Sequence, residues 1–146
     1  MSMNGFLRAF PPSQMNIMKN DKTSIERLIH EEQMFLFESD VGDAWHVLIA
    51  VLDGDGFYAG EQITDVMTTG AILLTAAEVK AEAAKLAART HAEIIKNLRE
   101  ISADSELYHL QGFKENEAAL LAQFDALAAF FKKAAAHGLT AVINIA

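Results

Sequence analysis

The longest periodic pattern in the sequence lies near its C-terminus and predicts a helix over about 114–137. Large apolar residues recur there at spacings of four, three and four, which places them on one helical face and predicts that they are buried. They are Leu120, Phe124, Leu127 and Phe131. Gly138 follows the basic end of this segment, as is common after a helix, and the β-branched residues of 139–145 predict a strand.

Short strand-like segments are scattered between the other helical patterns. Strands are predicted at 4–10, 57–59 and 71–74, next to prolines or glycines that interrupt regular structure. Helical patterns outweigh these strands, and no internal repeat or linker divides the chain. The sequence therefore predicts an α+β fold, with a single domain over 1–146 whose helices pack on a small mixed or antiparallel sheet.

Three helix starts match the capping-box pattern. In this pattern a Ser or Thr side chain and a Glu three residues later satisfy each other's backbone N–H groups. The three pairs are Thr23 with Glu26, Thr75 with Glu78, and Thr90 with Glu93. Asp40 is expected to cap a further helix that carries an Ala-Trp-His sequence.

The composition is typical of a soluble globular protein. Hydrophobic residues make up 51% of the chain and charged residues 22%, so disorder is not expected. No apolar run reaches the roughly 18 residues that a bilayer span requires, and no membrane partner is expected. The chain has no cysteine and no signal-peptide pattern, which makes the cytoplasm the expected compartment.

The negative charge is concentrated in one part of the chain. The formal net charge is −8, and segment 28–79 contains acidic residues but no lysine or arginine. These acids are Glu31, Glu32, Glu38, Asp40, Asp43, Asp53, Asp55, Glu61, Asp65 and Glu78. Such a segment repels phosphate backbones, so nucleic-acid binding is not expected, and it could steer a basic protein partner. The alternative interpretation is that these acids only confer solubility.

Trp45 and His46, with Asp43 in the first turn of the same predicted helix, are the leading candidate site. Adjacent helical residues point about 100° apart, so His46 is expected at the margin of the core if Trp45 lies within it. There the imidazole could act as a general base or donate a hydrogen bond to a ligand. The alternative is a structural histidine that bonds the backbone or a carboxylate.

Further candidates lie in and after the acidic turn that follows this helix. Phe57 and Tyr58, beside Asp53 and Asp55, are expected to contact a protein partner, because aromatic residues often anchor interfaces. The other candidates are polar or aromatic residues that could form the rim of a pocket. They are Glu61, Asp65 and Tyr108.

No motif indicates a cofactor, a metal or a catalytic nucleophile. The histidines are scattered and lack the His-Glu-x-x-His spacing that places two imidazoles on one helical face. The Gly-x-Ser-x-Gly motif of serine hydrolases and the glycine-rich motifs of nucleotide-binding loops are also absent.

Four motifs occur in order along nearly the whole chain. They are MSMNG at 1–5, DAWH at 43–46, ILLTAAEVK at 72–80 and FFKKAAAHGLTAV at 130–142. This set resembles the bacterial YfbM-like family, a domain family of unknown function. The resemblance implies an α+β fold and implies no reaction. Family members usually have a Gly-Pro-Ala-Arg-like turn before the third motif, where this chain has TGAI at 69–72.

The leading functional expectation is a non-enzymatic domain, a monomer or weak homodimer, that presents an acidic surface to a basic protein partner. By analogy with other small acidic bacterial domains, this class includes immunity proteins, which inhibit toxins. The alternative is a small-molecule-binding domain or enzyme with a pocket near His46 and the 56–70 loop.

Overall fold

A computed structural model describes residues 3–21, 23–31, 34–57, 59–63 and 70–146. The strands are β1 (Gly5–Phe10), β2 (Phe37–Asp40), β3 (Glu61–Ile63), β4 (Ala71–Leu74) and β5 (Thr140–Ile145). The α-helices are α1 (Pro12–Asn20), α2 (Ser24–Glu26), α3 (Trp45–Val51), α4 (Ala76–Ala87), α5 (His91–Glu100), α6 (Leu110–Glu115) and α7 (Glu117–Ala136). A π-helical turn, Arg27–Glu31, extends α2, and a 3₁₀ turn, Gly42–Ala44, precedes α3.

The described strands form one antiparallel sheet in the order β2-β1-β5-β4-β3. The N-terminal and C-terminal strands pair at its centre, with Leu7 opposite Ile143. Strands β2 and β3 form the two edges. The predicted α+β fold with an antiparallel sheet is therefore confirmed.

Helices cover both faces of the sheet. On one face, α3, α4, α5 and α7 enclose the larger core, to which the sheet contributes residues such as Leu7, Leu74 and Ile143. The apolar stripe of α7 is buried in this core, as its spacing predicts. On the other face, Met15 and Met18 of α1 and the apolar residues of the following turn pack on the sheet.

The predicted strand at 57–59 is wrong. Phe57 belongs to a turn, and the strand begins four residues later, at Glu61. Positive φ angles at Asp53, Gly54 and Gly56 coil the chain tightly after α3, so it cannot extend at Phe57. The strand starts only beyond Gly60, where an added Cβ would lie 2.2 Å from the carbonyl oxygen of Leu73.

The three capping-box patterns have different outcomes. Thr90 caps α5, since its Oγ1 accepts a hydrogen bond from the Glu93 N–H at 3.2 Å. The box at Thr75 is confirmed: its Oγ1 accepts a hydrogen bond from the Glu78 N–H at 3.2 Å, and Glu78 Oε1 accepts one from the Thr75 N–H at 2.9 Å.

The box at Thr23 is wrong. The Thr23 hydroxyl donates a hydrogen bond to Asp21 Oδ1 at 2.5 Å and does not cap the helix. Thr23 also has a helical backbone, with φ −68°, where an N-cap residue is usually extended.

Three other helix boundaries refine the sequence prediction. The prediction that Asp40 caps the helix with the Ala-Trp-His sequence is wrong: Asp40 ends β2, its side chain accepts a hydrogen bond from the Gly42 N–H, and Ala44 occupies the N-cap position of α3. The predicted helix over 114–137 is divided at Asn116, which caps α7 by accepting from the Ala119 N–H. Gly138, with φ 64°, ends α7 as predicted. None of the helices within the described ranges is long and apolar enough to cross a membrane.

Candidate functional site

Aromatic side chains from two distant parts of the sequence meet at the N-terminal end of α3. The Trp45 ring stacks on the His46 ring, with centroids 4.9 Å apart and planes 12° apart. The Tyr108 ring, from the connection between α5 and α6, has its centroid 6.1 Å from that of Trp45 and 4.0 Å from that of His109. The structure therefore brings Tyr108 together with Trp45 and His46, the pair that the sequence analysis proposes as the leading candidate site.

Hydrogen bonds fix this cluster to the N-terminal segment. The Trp45 indole Nε1–H donates to the Met3 carbonyl oxygen at 3.1 Å, and the Met3 N–H donates to the Tyr108 hydroxyl oxygen at 3.1 Å. Both aromatic residues are half-buried, so each ring still presents part of its surface to solvent. These hydrogen bonds thus hold the cluster at the protein surface, where Trp45 also packs against the larger core.

The hydrogen bond to His46 limits its chemistry. The Tyr108 backbone N–H donates to His46 Nδ1 at 3.0 Å, which occupies the lone pair of that nitrogen. A neutral imidazole with an acceptor at Nδ1 carries its proton on Nε2. The ring can therefore donate a hydrogen bond from Nε2 to a ligand, while the Nδ1 lone pair is already engaged by the backbone. This geometry favours the structural interpretation of His46 over a general base.

Asp43 pairs with a histidine that the sequence analysis did not select. Its Oδ2 lies 2.6 Å from His109 Nδ1, and both side chains are partly exposed. His109 has a left-handed backbone, with φ 58°, which is unusual for a residue other than glycine. That conformation turns the ring toward Asp43, and no pattern in the sequence predicts it.

Two exposed acids, Asp104 and Glu106, lie in the connection that carries Tyr108 and His109. Between Arg99 and Lys114 this part of the chain contains no lysine or arginine. We call the aromatic cluster, taken together with the acidic residues of the same two segments, the acidic-aromatic surface. It comprises Asp43, Trp45, Asp104, Glu106, Tyr108 and His109.

Other acids of segment 28–79 are neutralised by basic residues from neighbouring elements. Asp55 lies 2.8 Å from Arg89 Nη2 and 3.6 Å from Lys85 Nζ, and the hydrogen bond to Asp55 raises the pKa of Arg89. Glu38 lies 3.2 Å from Arg8 Nε. The segment therefore does not form one uniform negative patch, and Asp55 is poorly suited to a basic partner.

Of the remaining candidate residues, those that the structure describes are not part of the aromatic cluster. Phe57 is only 1% exposed, so the expectation that it contacts a protein partner is corrected: it belongs to the core. Asp53 is exposed in the turn after α3, and Glu61 is exposed on edge strand β3. Tyr58 and Asp65 lie outside the described residues.

A buried carboxylate that the sequence did not single out holds the turn between α3 and β3. Glu82, on α4, is 2% exposed, and its Oε2 accepts the Gly56 N–H at 2.6 Å. Lys85 Nζ, 3.2 Å from Glu82 Oε1, supplies the compensating charge, and this hydrogen bond raises the pKa of Lys85. The capping box places Glu82 on a helix but does not reveal its partner across the fold.

An apolar cleft of about 200 Å³ lies between α3 and the β3-β4-β5 part of the sheet. Trp45 lines it, so the cleft adjoins the acidic-aromatic surface, whereas His46 is not among its lining residues. No three His, Asp or Glu side chains converge as a metal site within the part of the chain that the structure describes.

The chain belongs to the family described as a domain of unknown function, DUF1877, whose sequence model matches residues 1–144. Its fold is also similar to the crystal structure of YfbM from Escherichia coli, a protein of unknown function. The TM-score is 0.70 over 98% of this chain and 99% of that chain, at 13% identity, which shows the fold alone. No curated protein matches the sequence significantly. The resemblance to the YfbM-like family is therefore confirmed.

Proposed function

We propose that this protein is a non-enzymatic interaction domain that binds a basic protein partner through the acidic-aromatic surface. The observation that carries the proposal is the contact between partly exposed Trp45 and Tyr108, with Asp43 paired to His109 beside the Tyr108 ring. Tryptophan and tyrosine are the residues that most often dominate binding energy in protein interfaces.

The acids around these rings suit them to a basic partner. Asp43 lies two residues before Trp45, and exposed Asp104 and Glu106 precede Tyr108 in the same connection, so all three add negative charge to the segments that carry the aromatic rings. In such an interface, rim charges accelerate the encounter with an oppositely charged protein, while desolvated aromatic side chains slow dissociation. The two groups of residues thus have separable effects on association and dissociation rates.

The finer form of the proposal is an immunity protein of the cytoplasm that inhibits a basic toxin by covering its active surface. Its support is the small size and net charge of −8, together with the constraint that Tyr108 places on His46. Occlusion requires a rigid binding surface and no reacting group. An enzyme that used His46 as its base would need a free nitrogen on that ring.

Quantitative co-purification tests this function. Tagged wild-type protein is incubated with a lysate of the source organism, and bound proteins are identified by mass spectrometry. We expect enrichment of at least one basic protein, and loss of that protein when Asp43→Lys is combined with Tyr108→Ala.

The chain offers a matched control for the charge reversal. Asp125 is an exposed aspartate that also pairs with a histidine, His91, at 2.7 Å, but it lies on α7. Asp125→Lys should leave the recovered protein unchanged. The proposal is wrong if no protein is enriched over untagged beads, or if Asp125→Lys lowers the recovery of the partner as much as the double variant does.

A further inference from the structure

We propose that the cleft between α3 and the sheet binds a neutral, planar ligand about the size of one substituted aromatic ring. This site adjoins the acidic-aromatic surface and shares Trp45 with it, but its existence does not depend on the proposed protein partner. The proposal rests on the floor, the walls and the uncharged lining of the cleft.

The sheet register forms the floor. Gln62 of β3 lies opposite Ile72 of β4, which in turn lies opposite Ile143 of β5, so the three side chains form one row across the sheet. Ile145, two residues beyond Ile143 in the same strand, extends the same face. The neighbouring residue Asn144 points to the opposite face, where its Oδ1 accepts a hydrogen bond from Arg8.

Helix α3 and the following turn form the walls. Trp45 and Ile49 are four residues apart on α3, so they share one helical face, and both line the cleft while remaining half-buried. Phe57 lines it with part of a ring that is otherwise in the core. Glu82 holds the turn that carries Phe57 through its bond to Gly56, so this wall is fixed before any ligand arrives.

The lining determines the ligand chemistry. The lining residues that the structure describes are all uncharged, so an ionic ligand would lose its hydration without gaining an opposite charge from them. The wall of Trp45 favours a flat ring, which can stack on the indole or meet it edge to face. The Gln62 amide offers a donor and an acceptor at the solvent side, which suits a single hydroxyl or amide substituent.

The volume sets the size. An apolar cavity of about 150 Å³ is enough to hold benzene. The present cleft of about 200 Å³ therefore accommodates one ring with one or two small substituents. Because the chain has one tryptophan, the indole N–H resonance of Trp45 reports occupancy directly.

The test is an NMR titration of the full chain with 4-methylphenol, and with 4-methylbenzoate as the charged analogue. We expect saturable shifts of the Trp45 indole N–H and the amides of Ile72 and Ile143 with 4-methylphenol. Binding of 4-methylbenzoate should be at least about tenfold weaker, a difference of about 1.4 kcal/mol. Absence of saturable shifts at these residues, or equal binding of the two probes, overturns the proposal.

Ile49→Phe tests the location, since the larger ring should fill the cleft from a half-buried position. It should weaken 4-methylphenol binding at least about tenfold while the spectrum stays that of a folded protein. Ile17→Phe is the control, because Ile17 is 42% exposed on α1, against the opposite face of the sheet. Ile145→Phe provides a second filling variant if Ile49→Phe fails to fold. Unchanged binding in a folded filling variant contradicts the proposal.

Discussion

At the scale of single residues, His46 shows how one hydrogen bond decides between roles. Its Nδ1 accepts the Tyr108 backbone N–H, which joins α3 to a connection 62 residues away in sequence. The bond holds the Tyr108 backbone beside α3, and the Tyr108 ring lies 6.1 Å from the Trp45 ring, measured between centroids. His46 therefore supports the proposed binding surface through two contacts: its ring stacks on Trp45, and its Nδ1 accepts the Tyr108 N–H.

We predict that His46→Ala destabilises the protein by about 1–2 kcal/mol, because the Tyr108 N–H loses its partner in a half-buried position. His46→Asn should lose less, since its side-chain oxygen can take the place of Nδ1. Urea denaturation measures both free energies of unfolding. His137→Ala is the control at an exposed histidine, and equal losses for all three variants would contradict the assigned role.

At the scale of elements, the capping-box sequences at Thr23 and Thr75 have the same form but contribute differently to the stability of the fold. Thr75 and Glu78 exchange hydrogen bonds at the start of α4. The Thr23 hydroxyl instead donates to the Asp21 carboxylate and accepts no hydrogen bond from a helix N–H. The preceding aspartate is visible in the sequence, so competition for the threonine hydroxyl is the signal that distinguishes the two.

We therefore predict that Thr75→Ala lowers the free energy of unfolding by about 1 kcal/mol, the usual value of a lost N-cap. Thr23→Ala should cost clearly less, because no helix N–H loses an acceptor. Thermal or urea unfolding of the two variants gives the comparison. A larger loss for Thr23→Ala than for Thr75→Ala would show that the capping assignment is reversed.

Helices α5 and α7 are joined by an ion pair that makes a pH prediction. Arg99 donates to both carboxylate oxygens of Glu117, at 2.8 and 2.9 Å, and these hydrogen bonds lower the pKa of Glu117. A lowered folded-state pKa means that the pair stabilises the fold above the ordinary glutamate value of about 4.3, and that this contribution disappears as the pH falls through the folded-state pKa.

Glu117→Gln should accordingly reduce stability at neutral pH and have little effect at a pH below the folded-state pKa of the carboxyl group. Urea unfolding of wild type and variant across acidic pH measures the difference. The effect should also shrink in high salt, since the pair is near the surface. A difference between the two proteins that stays constant with pH would exclude Glu117 as the source.

Elements with a clear period were predictable, and elements set by distant contacts were not. The stripe of α7 and the β-branched residues of β5 predict buried structure, and both are buried as expected. The false strand at Phe57 arises because a short apolar segment does not reveal the positive φ angles before it. For the site, Trp45 and Tyr108 were identifiable as aromatic candidates, but His109 was not, since its left-handed backbone depends on the tertiary fold.

At the scale of the whole molecule, the fold redistributes the charge that the sequence concentrates. Arg89 and Arg8 neutralise Asp55 and Glu38, so the acidity of segment 28–79 is not fully available to a partner. The fold also brings Asp43 of this segment beside His109, in a second region that lacks basic residues. The proposed binding surface is thus assembled by tertiary contacts from two acidic parts of the chain.

The central claim is that the acidic-aromatic surface binds a basic protein, and the affinity for the co-purified partner tests it most directly. Titration calorimetry at low and high salt should show affinity falling as salt rises, because charged rims are screened. Asp43→Lys should weaken binding by on the order of tenfold or more, while Asp125→Lys leaves it within about twofold. Salt-independent affinity, or equal effects of the two reversals, would contradict the claim.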